Sequence, residues 1–295
     1  ALGYTSMTPV QAQALPAILE GRDVIAQAPT GSGKTAAFGL PLLQRLAKET
    51  PPKGPRKPRA LVLVPTRELA VQVADNLKTY ARHLRLNVTL LFGGVGMQPQ
   101  IDRLRKGVDI LVATPGRLLD HIEAKTAVLN QVEYVVLDEA DRMLDMGFEE
   151  AIRDIARRVP KDRQGLLFSA TFPEAIRALA NAMLRDAAEI SVDGGAQPAT
   201  IAQLFFEVDP ARRAPALAAL LLRFQPESTV VFCNTRADTV EVVGSLTHYG
   251  FTALALHGDM EQRDRDEVLV QFANRSCSVL VASDVAAARP MSWSG

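Results

Sequence analysis

The sequence predicts an α/β protein built from parallel sheets covered by helices, and three observations carry that prediction. Apolar runs of strand length, dense in Val, Leu and Ile, alternate with helical patterns at Ala60–Val64, Val88–Phe92, Ile110–Ala113, Tyr134–Leu137, Leu166–Phe168 and Ile190–Val192. Strands that are apolar without interruption are those buried on both faces of a sheet. A glycine-rich turn within Ala26–Thr35 follows Asp23-Val24-Ile25 and leads into Ala36-Ala37-Phe38-Gly39-Leu40, giving strand, turn and helix in succession. After Asp193-Gly194-Gly195-Ala196-Gln197-Pro198, which reads as a linker, a second series begins at Gln203–Val208 and continues through Thr229–Cys233, Ala253–Leu256 and Ser278–Ala282.

The expected organisation is a first domain over 1–194, a linker over 195–202, a shorter second domain over 203–287 and a short tail over 288–295. Helical patterns such as Glu68–Arg82 and Pro173–Leu184 supply the crossovers that parallel strands require. One segment stands apart by composition: Pro51-Pro52-Lys53-Gly54-Pro55-Arg56-Lys57-Pro58-Arg59 is basic and proline-rich. Its prolines exclude a helix interior or a central strand. It reads as a solvated loop that could also touch phosphates.

Composition narrows the function classes. Of 295 residues, 47% are hydrophobic, enough for a real core. No run is long and apolar enough to span a membrane, and no basic-then-apolar leader is expected at the start. Cys233 and Cys277 form no ligand cluster and lie in or beside apolar runs, which points to buried thiols and a reducing, cytoplasmic setting. Lysines and arginines balance aspartates and glutamates at 33 each. Net charge therefore gives no support to nucleic-acid binding, and any such binding must come from a local surface. His83, His121, His248 and His257 are scattered without metal-binding spacing, and none is given an acid–base role.

The turn Ala28-Pro29-Thr30-Gly31-Ser32-Gly33-Lys34-Thr35 carries the first chemical signal. Gly31 and Gly33 allow backbone N–H groups to face inward, and the following helix adds its positive N-terminal end. Lys34 can then reach the outer phosphates of a nucleotide, and the Thr35 hydroxyl can ligate magnesium. Ala28 stands where the strict phosphate-loop pattern has glycine. The second signal is Val135-Val136-Leu137-Asp138-Glu139-Ala140-Asp141, a strand ending in carboxylates. Ligands of open parallel sheets sit at the carboxyl ends of strands. Asp138 is expected to hold magnesium and Glu139 to polarise the water that attacks the terminal phosphoryl group. By itself the acidic run could equally be a solvated turn before a helix.

Asp138-Glu139-Ala140-Asp141 resembles the name-giving motif of the DEAD-box RNA helicases, and further motifs follow in that family's order. The resemblance implies two RecA-like domains, an ATP- and Mg2+-dependent reaction and RNA as partner. It implies RNA-stimulated ATP hydrolysis coupled to local separation of short RNA duplexes. Gly3-Tyr4-Thr5-Ser6-Met7-Thr8-Pro9-Val10-Gln11 is similar to the family's adenine-reading motif. Tyr4 would stack on the base and Gln11 hydrogen-bond its polar edge, chemistries that suit a purine.

Pro65-Thr66-Arg67, Gly93-Gly94 and Thr114-Pro115-Gly116-Arg117 resemble RNA-contacting motifs. Small residues, hydroxyls and single arginines suit a sugar–phosphate track better than base reading, although Thr-Pro-Gly alone is also a turn and helix start. Ser169-Ala170-Thr171 resembles the motif that couples nucleotide state to strand separation, and its hydroxyls also suit helix capping. In the second domain Thr235, Arg236, Gly258, Gln262 and Arg265 match later motifs and could touch RNA or the inter-domain surface. The first domain resembles the RhlE type within the family and His257–Asp284 the DbpA type.

The resemblance ends near Ala287. The family continues Ala-Arg-Gly-Leu-Asp, whereas this chain reads Ala288-Arg289-Pro290-Met291-Ser292-Trp293-Ser294-Gly295. The arginine motif that faces the terminal phosphate is therefore expected to be missing, and the second RecA-like domain to be incomplete. An arginine finger is worth about a thousandfold or more in rate. The alternative expectation is thus a fragment that binds ATP and RNA but hydrolyses and unwinds little.

Overall fold

The computed structural model describes residues 5–48, 56–192 and 202–283. Tyr4, most of the expected linker and the 288–295 tail lie outside them. The chain divides into two compact units, Ala1–Thr200 and Ile201–Gly295.

The first unit is a seven-stranded parallel sheet of β1 (Val24–Gln27), β2 (Ala60–Leu63), β3 (Val88–Leu91), β4 (Ile110–Ala113), β5 (Tyr134–Leu137), β6 (Gln164–Ser169) and β7 (Ala188–Ser191). Their spatial order is β3-β4-β2-β5-β6-β1-β7. The helices are α1 (Pro9–Leu19), α2 (Lys34–Lys48), α3 (Arg67–Tyr80), α4 (Met97–Arg105), α5 (Pro115–Glu123), α6 (Ala140–Asp145), α7 (Glu149–Arg158) and α8 (Glu174–Met183).

The uninterrupted apolar strands are explained by two cores, one on each face of the sheet. Val62 and Val136 face one side with Phe38, Leu42 and Leu77. Leu61, Leu63, Val135 and Leu137 face the other with Ile152 and Leu179. Successive strand side chains point to opposite faces, so a strand buried on both sides has no polar position to spare. Phe38 of α2 meets Phe168 of β6 with ring centroids 5.5 Å apart, anchoring the helix that follows the glycine turn to the centre of the sheet.

Because every strand pair is parallel and in register, the carboxyl ends of β1, β2, β3, β4, β5 and β6 share one edge. That edge collects the turns after each strand, where every first-domain motif named above except the N-terminal one is placed. The end of the basic segment departs from the solvated loop that composition suggests. Arg59 is buried and forms a two-pronged pair with Glu133, Nε to Oε1 at 2.7 Å and Nη2 to Oε2 at 3.0 Å. Hydrogen bonding at both prongs offsets the cost of burying the guanidinium.

The second unit is a three-stranded parallel sheet, ordered β8 (Thr229–Cys233), β10 (Val279–Ser283), β9 (Ala253–Leu256), with α9 (Arg213–Phe224), α10 (Arg236–His248) and α11 (Gln262–Ala273). The strand expected at Gln203–Val208 is not formed. Its apolar pattern is real, but no described strand pairs with it, and Leu204, Phe205 and Phe206 are exposed. Strand propensity without a hydrogen-bonding neighbour does not make a strand. Cys233 and Cys277 are free and buried, as expected.

Candidate functional site

The turn between β1 and α2 has the shape that its glycines permit. Gly31 and Gly33 both adopt positive φ, +80° and +89°. Gly33 is also the closest approach in the turn: a Cβ there would lie 2.5 Å from Gln11 Nε2 and 3.1 Å from Thr8 Oγ1. The Gln11 carboxamide braces the turn from α1. Its Nε2 donates to the Gly33 carbonyl at 3.1 Å, and its Oε1 accepts the Thr8 amide at 3.0 Å. Each end of the amide is used once, leaving one N–H and one lone pair for a ligand.

Lys34, at the start of α2, is only 6% exposed and donates from Nζ to the Ala28 carbonyl at 3.2 Å. Ala28 is buried, and its amide donates to the Ser169 carbonyl at 2.9 Å, so the turn is tied to the end of β6. Thr30 and Gly31 are exposed, while Ser32, Gly33 and Thr35 are partly so. Ser32 Oγ donates to the Pro29 carbonyl at 2.7 Å.

The acidic motif follows β5 on the same edge. Asp138 is buried, and burial pushes its carboxyl up to about 6, opposed by the ammonium of Lys34. A carboxylate so placed lacks a full counter-charge. Its oxygens and the Thr35 hydroxyl are of the kind that could ligate magnesium. Glu139 is 8% exposed and sits in the left-handed region, φ 54° and ψ 52°, a conformation that costs about 1–3 kcal/mol for a residue with a side chain. Its amide donates to Asp138 Oδ1 at 3.1 Å.

Asp141 has no separate role in the motif reading above, yet it is the most connected member of the motif. Thr171 donates to its Oδ2 from both amide and hydroxyl, each at 2.9 Å. The Asp141 amide donates to Ser169 Oγ at 3.2 Å, and Ser169 Oγ donates to the Thr171 carbonyl at 2.7 Å. Burial would raise the Asp141 carboxyl, but the hydrogen bonds from Thr171 outweigh it and hold the group below the usual carboxylate range. The acidic motif and Ser169-Ala170-Thr171 are thus one network.

The remaining first-unit candidates come together at the adjacent ends of β3, β4 and β2. Thr66 is buried and caps α3, its Oγ1 accepting from the Leu69 amide at 3.2 Å. Pro65 precedes it, also buried, and the Arg67 guanidinium stacks 5.0 Å from the Phe92 ring. Gly93 faces open space and Gly94 has φ +78°. Thr114 and Pro115 start α5, and Gly116 also faces open space. Arg117 ties two of these turns, donating to the Val95 carbonyl at 2.8 Å and to Asp120 at 3.2 Å. Open backbone beside a fixed guanidinium suits a phosphate track.

In the second unit Thr235 caps α10 by a reciprocal pair with Asp238, at 3.1 and 3.2 Å. Arg236 pairs with Asp259, Gly258 is exposed after β9, and Arg265 on α11 is buried. Gln262 opens α11, and the structure describes only its backbone. Among the described residues no group of three His, Cys, Asp or Glu side chains is placed to hold a metal, and no helix is long and apolar enough to cross a membrane.

Known proteins resemble the chain over nearly its whole length. A family model described as DEAD/DEAH box helicase matches residues 8–179, and one described as helicase conserved C-terminal domain matches 213–288. The chain is 53% identical over 287 residues to the ATP-dependent RNA helicase DbpA of Escherichia coli, covering 97% of this chain and 62% of that protein. It is 42% identical to E. coli DeaD, also named an ATP-dependent RNA helicase, over 97% of this chain and 45% of that protein. Among solved structures, S. cerevisiae Dbp5 bound to Gle1 and IP6 matches with a TM-score of 0.74 and 30% identity, covering 96% of this chain and 70% of that one. A DEAD box protein from Methanococcus jannaschii matches with a TM-score of 0.59 and 38% identity, covering 94% and 74%. The chain thus spans about half to two thirds of the curated relatives named here.

Proposed function

The chain belongs to the DEAD/DEAH box helicase family, and we propose that it is an ATP-dependent RNA helicase whose ATP hydrolysis is stimulated by RNA and coupled to local unwinding of short duplexes. One observation carries the reading: Lys34, Asp138 and Glu139 are buried at the carboxyl edge of one sheet, and Asp141 connects them to Ser169 and Thr171. Burying charge is costly unless it is paired or ligates a metal, and such groups cluster at functional sites.

In this reading the turn from Ala28 through Thr35 cradles the ATP phosphates with backbone amides. Lys34 leaves the Ala28 carbonyl for the outer phosphates, exchanging a neutral acceptor for an anionic one. Thr35 and Asp138 would hold Mg2+, which would supply neutralising charge toward the phosphates. Glu139 orients and polarises the attacking water, in a backbone conformation imposed by the tight turn out of β5. Gln11 offers its remaining N–H and lone pair to the adenine edge, and Tyr4, outside the described residues, stacks on the base by resemblance.

The RNA backbone lies across the turns at Pro65, Thr66, Arg67, Gly93, Gly94, Thr114, Pro115, Gly116 and Arg117. By resemblance Thr235, Arg236, Gly258, Gln262 and Arg265 of the second unit also contact RNA. Selection of RNA over DNA rests on 2′-hydroxyl contacts. The cytoplasm is the compartment this reading implies.

Phosphate release by the purified chain tests it, with RNA or DNA of one sequence added. RNA stimulates turnover and DNA does not; equal turnover without RNA, or with DNA, contradicts the reading.

A further inference from the structure

A concentrated basic surface lies at the opposite end of the strands that carry the candidate RNA track. Ala60 and Val88 are both level with Ile110, so the starts of β2, β3 and β4 share one edge. A cavity of about 300 Å³ opens there, rimmed by Arg56, Lys57, Arg105 and Lys106 and floored by Leu104, Val108, Ala127 and Val128. No carboxylate lines it. Exposed Arg85, Arg103 and Lys125 stand in the neighbouring turns and on α4.

The rim is built rather than incidental. Arg56 packs on Gly107, where an added Cβ would come within 2.9 Å of it and where φ is +92°. Its Nη1 donates to the Arg85 carbonyl and to Asp109 Oδ2, each at 3.3 Å. Asp109 is itself buried and also accepts the Asn87 amide at 2.7 Å, so its charge is turned inward and shared. Lys57 donates to a neutral partner, Asn130 Oδ1, at 3.3 Å. The Arg105–Asp102 pair is exposed at 3.6 Å, and such a pair is worth little. Positive charge is therefore left over locally in a chain whose charges balance at 33 each.

We infer that this surface holds a second stretch of RNA phosphodiester backbone, gripping a duplex that flanks the single strand in the track. The inference rests on the proposed RNA partner. The topology favours RNA over an acidic protein because one set of strands carries both surfaces, and four-residue strands separate their ends by only about 13 Å. β3 is the edge strand, so a chain leaving the Gly93-Gly94 turn reaches the basic rim around one sheet edge. A cationic rim suits the phosphates and sugars of a duplex backbone, which carry no unpaired base.

The test is fluorescence anisotropy of the full chain at several salt concentrations with two RNAs: a short single strand, and that strand extended by a hairpin duplex. The wild type should bind the extended RNA about tenfold more tightly and with a steeper salt dependence. Lys57→Glu with Lys106→Glu should erase that gain, flatten the salt slope by about two, and leave the short strand unaffected. Lys57→Gln with Lys106→Gln should erase part of it and replaces the reversal if the latter misfolds by circular dichroism. Equal losses on both RNAs, or an undiminished gain in the variants, overturn the inference. Short-strand binding with no gain from the extension overturns it alone, as does capture of polyglutamate in place of the duplex. Failure of the wild type to bind either RNA overturns the proposed function as well.

Discussion

Thr171 donates twice to the same carboxylate oxygen of Asp141, from its amide and from its hydroxyl, both at 2.9 Å. The turn after β6 is thereby locked to the helix that follows the acidic strand end. Thr171→Val keeps the shape and the amide bond but removes the hydroxyl donor. A hydrogen bond to a charged group contributes about 1.5–3 kcal/mol when shielded, and the partial exposure here reduces that to about 1 kcal/mol. The variant should unfold at slightly lower denaturant, and duplex unwinding should fall more than ATP turnover. Parallel loss of both activities would show that the bond serves folding alone.

Gly33 lies against the Gln11 carboxamide, which any side chain at that position would have to displace. Gly33→Ala would drive a methyl to 2.5 Å from Gln11 Nε2 in a backbone of φ +89°. The strain is about 1–2 kcal/mol from conformation alone, and Gln11 must leave the Gly33 carbonyl. Thermal unfolding should shift down and binding of a fluorescent ATP analogue should weaken severely. Gly31 meets nothing within 4 Å, so Gly31→Ala should show the conformational cost without the displacement of Gln11.

Lys34 is held against the Ala28 carbonyl and acts on Asp138. Lys34→Ala should weaken ATP binding by roughly tenfold to a hundredfold, the worth of a charge-assisted contact to phosphate. The folded state should tolerate the loss, because Asp138 can take up a proton when its cationic neighbour is gone. Isothermal titration with ATP and Mg2+ measures the first effect and denaturant unfolding the second.

His121 makes stability depend on pH. Thr126 Oγ1 donates to the His121 carbonyl at 3.0 Å, so the 2.8 Å contact with His121 Nδ1 is assigned with the ring as donor. Nε2 is then a bare lone pair, buried without a partner. Burial, and then the charge of Arg117, lower the ring's pKa below 6.5. The fold favours the neutral ring, so this contribution is full above about 6.5 and declines as pH falls toward the folded value, where the unfolded chain binds more protons. The melting temperature should drop between pH 7 and 5, with a shallower slope in His121→Gln. An unchanged slope would contradict the assignment.

Much of this was legible from residues alone, for identifiable reasons. The central strands β2, β4 and β5 are buried at every position on both faces, and their sequences show it residue by residue. The glycine turn was legible because Gly31 and Gly33 have few other uses in succession. Asp141 was not, since its partners Ser169 and Thr171 lie about thirty residues away and only the β5–β6 pairing brings them near. Arg59 is illegible for the same reason: its basic, proline-rich neighbourhood suggests solvent, and its partner Glu133, just before β5, is 74 residues away. Gln203–Val208 has the pattern of a strand but no described neighbour to pair with, information that no local window contains.

Glu139 is buried and held in a left-handed conformation beside Asp138. The most direct measurement compares ATP affinity and RNA-stimulated phosphate release in the wild type and in Glu139→Gln. Affinity should stay within about threefold while release falls by about a hundredfold or more, the usual worth of a positioned general base. Undiminished release by Glu139→Gln would contradict the account.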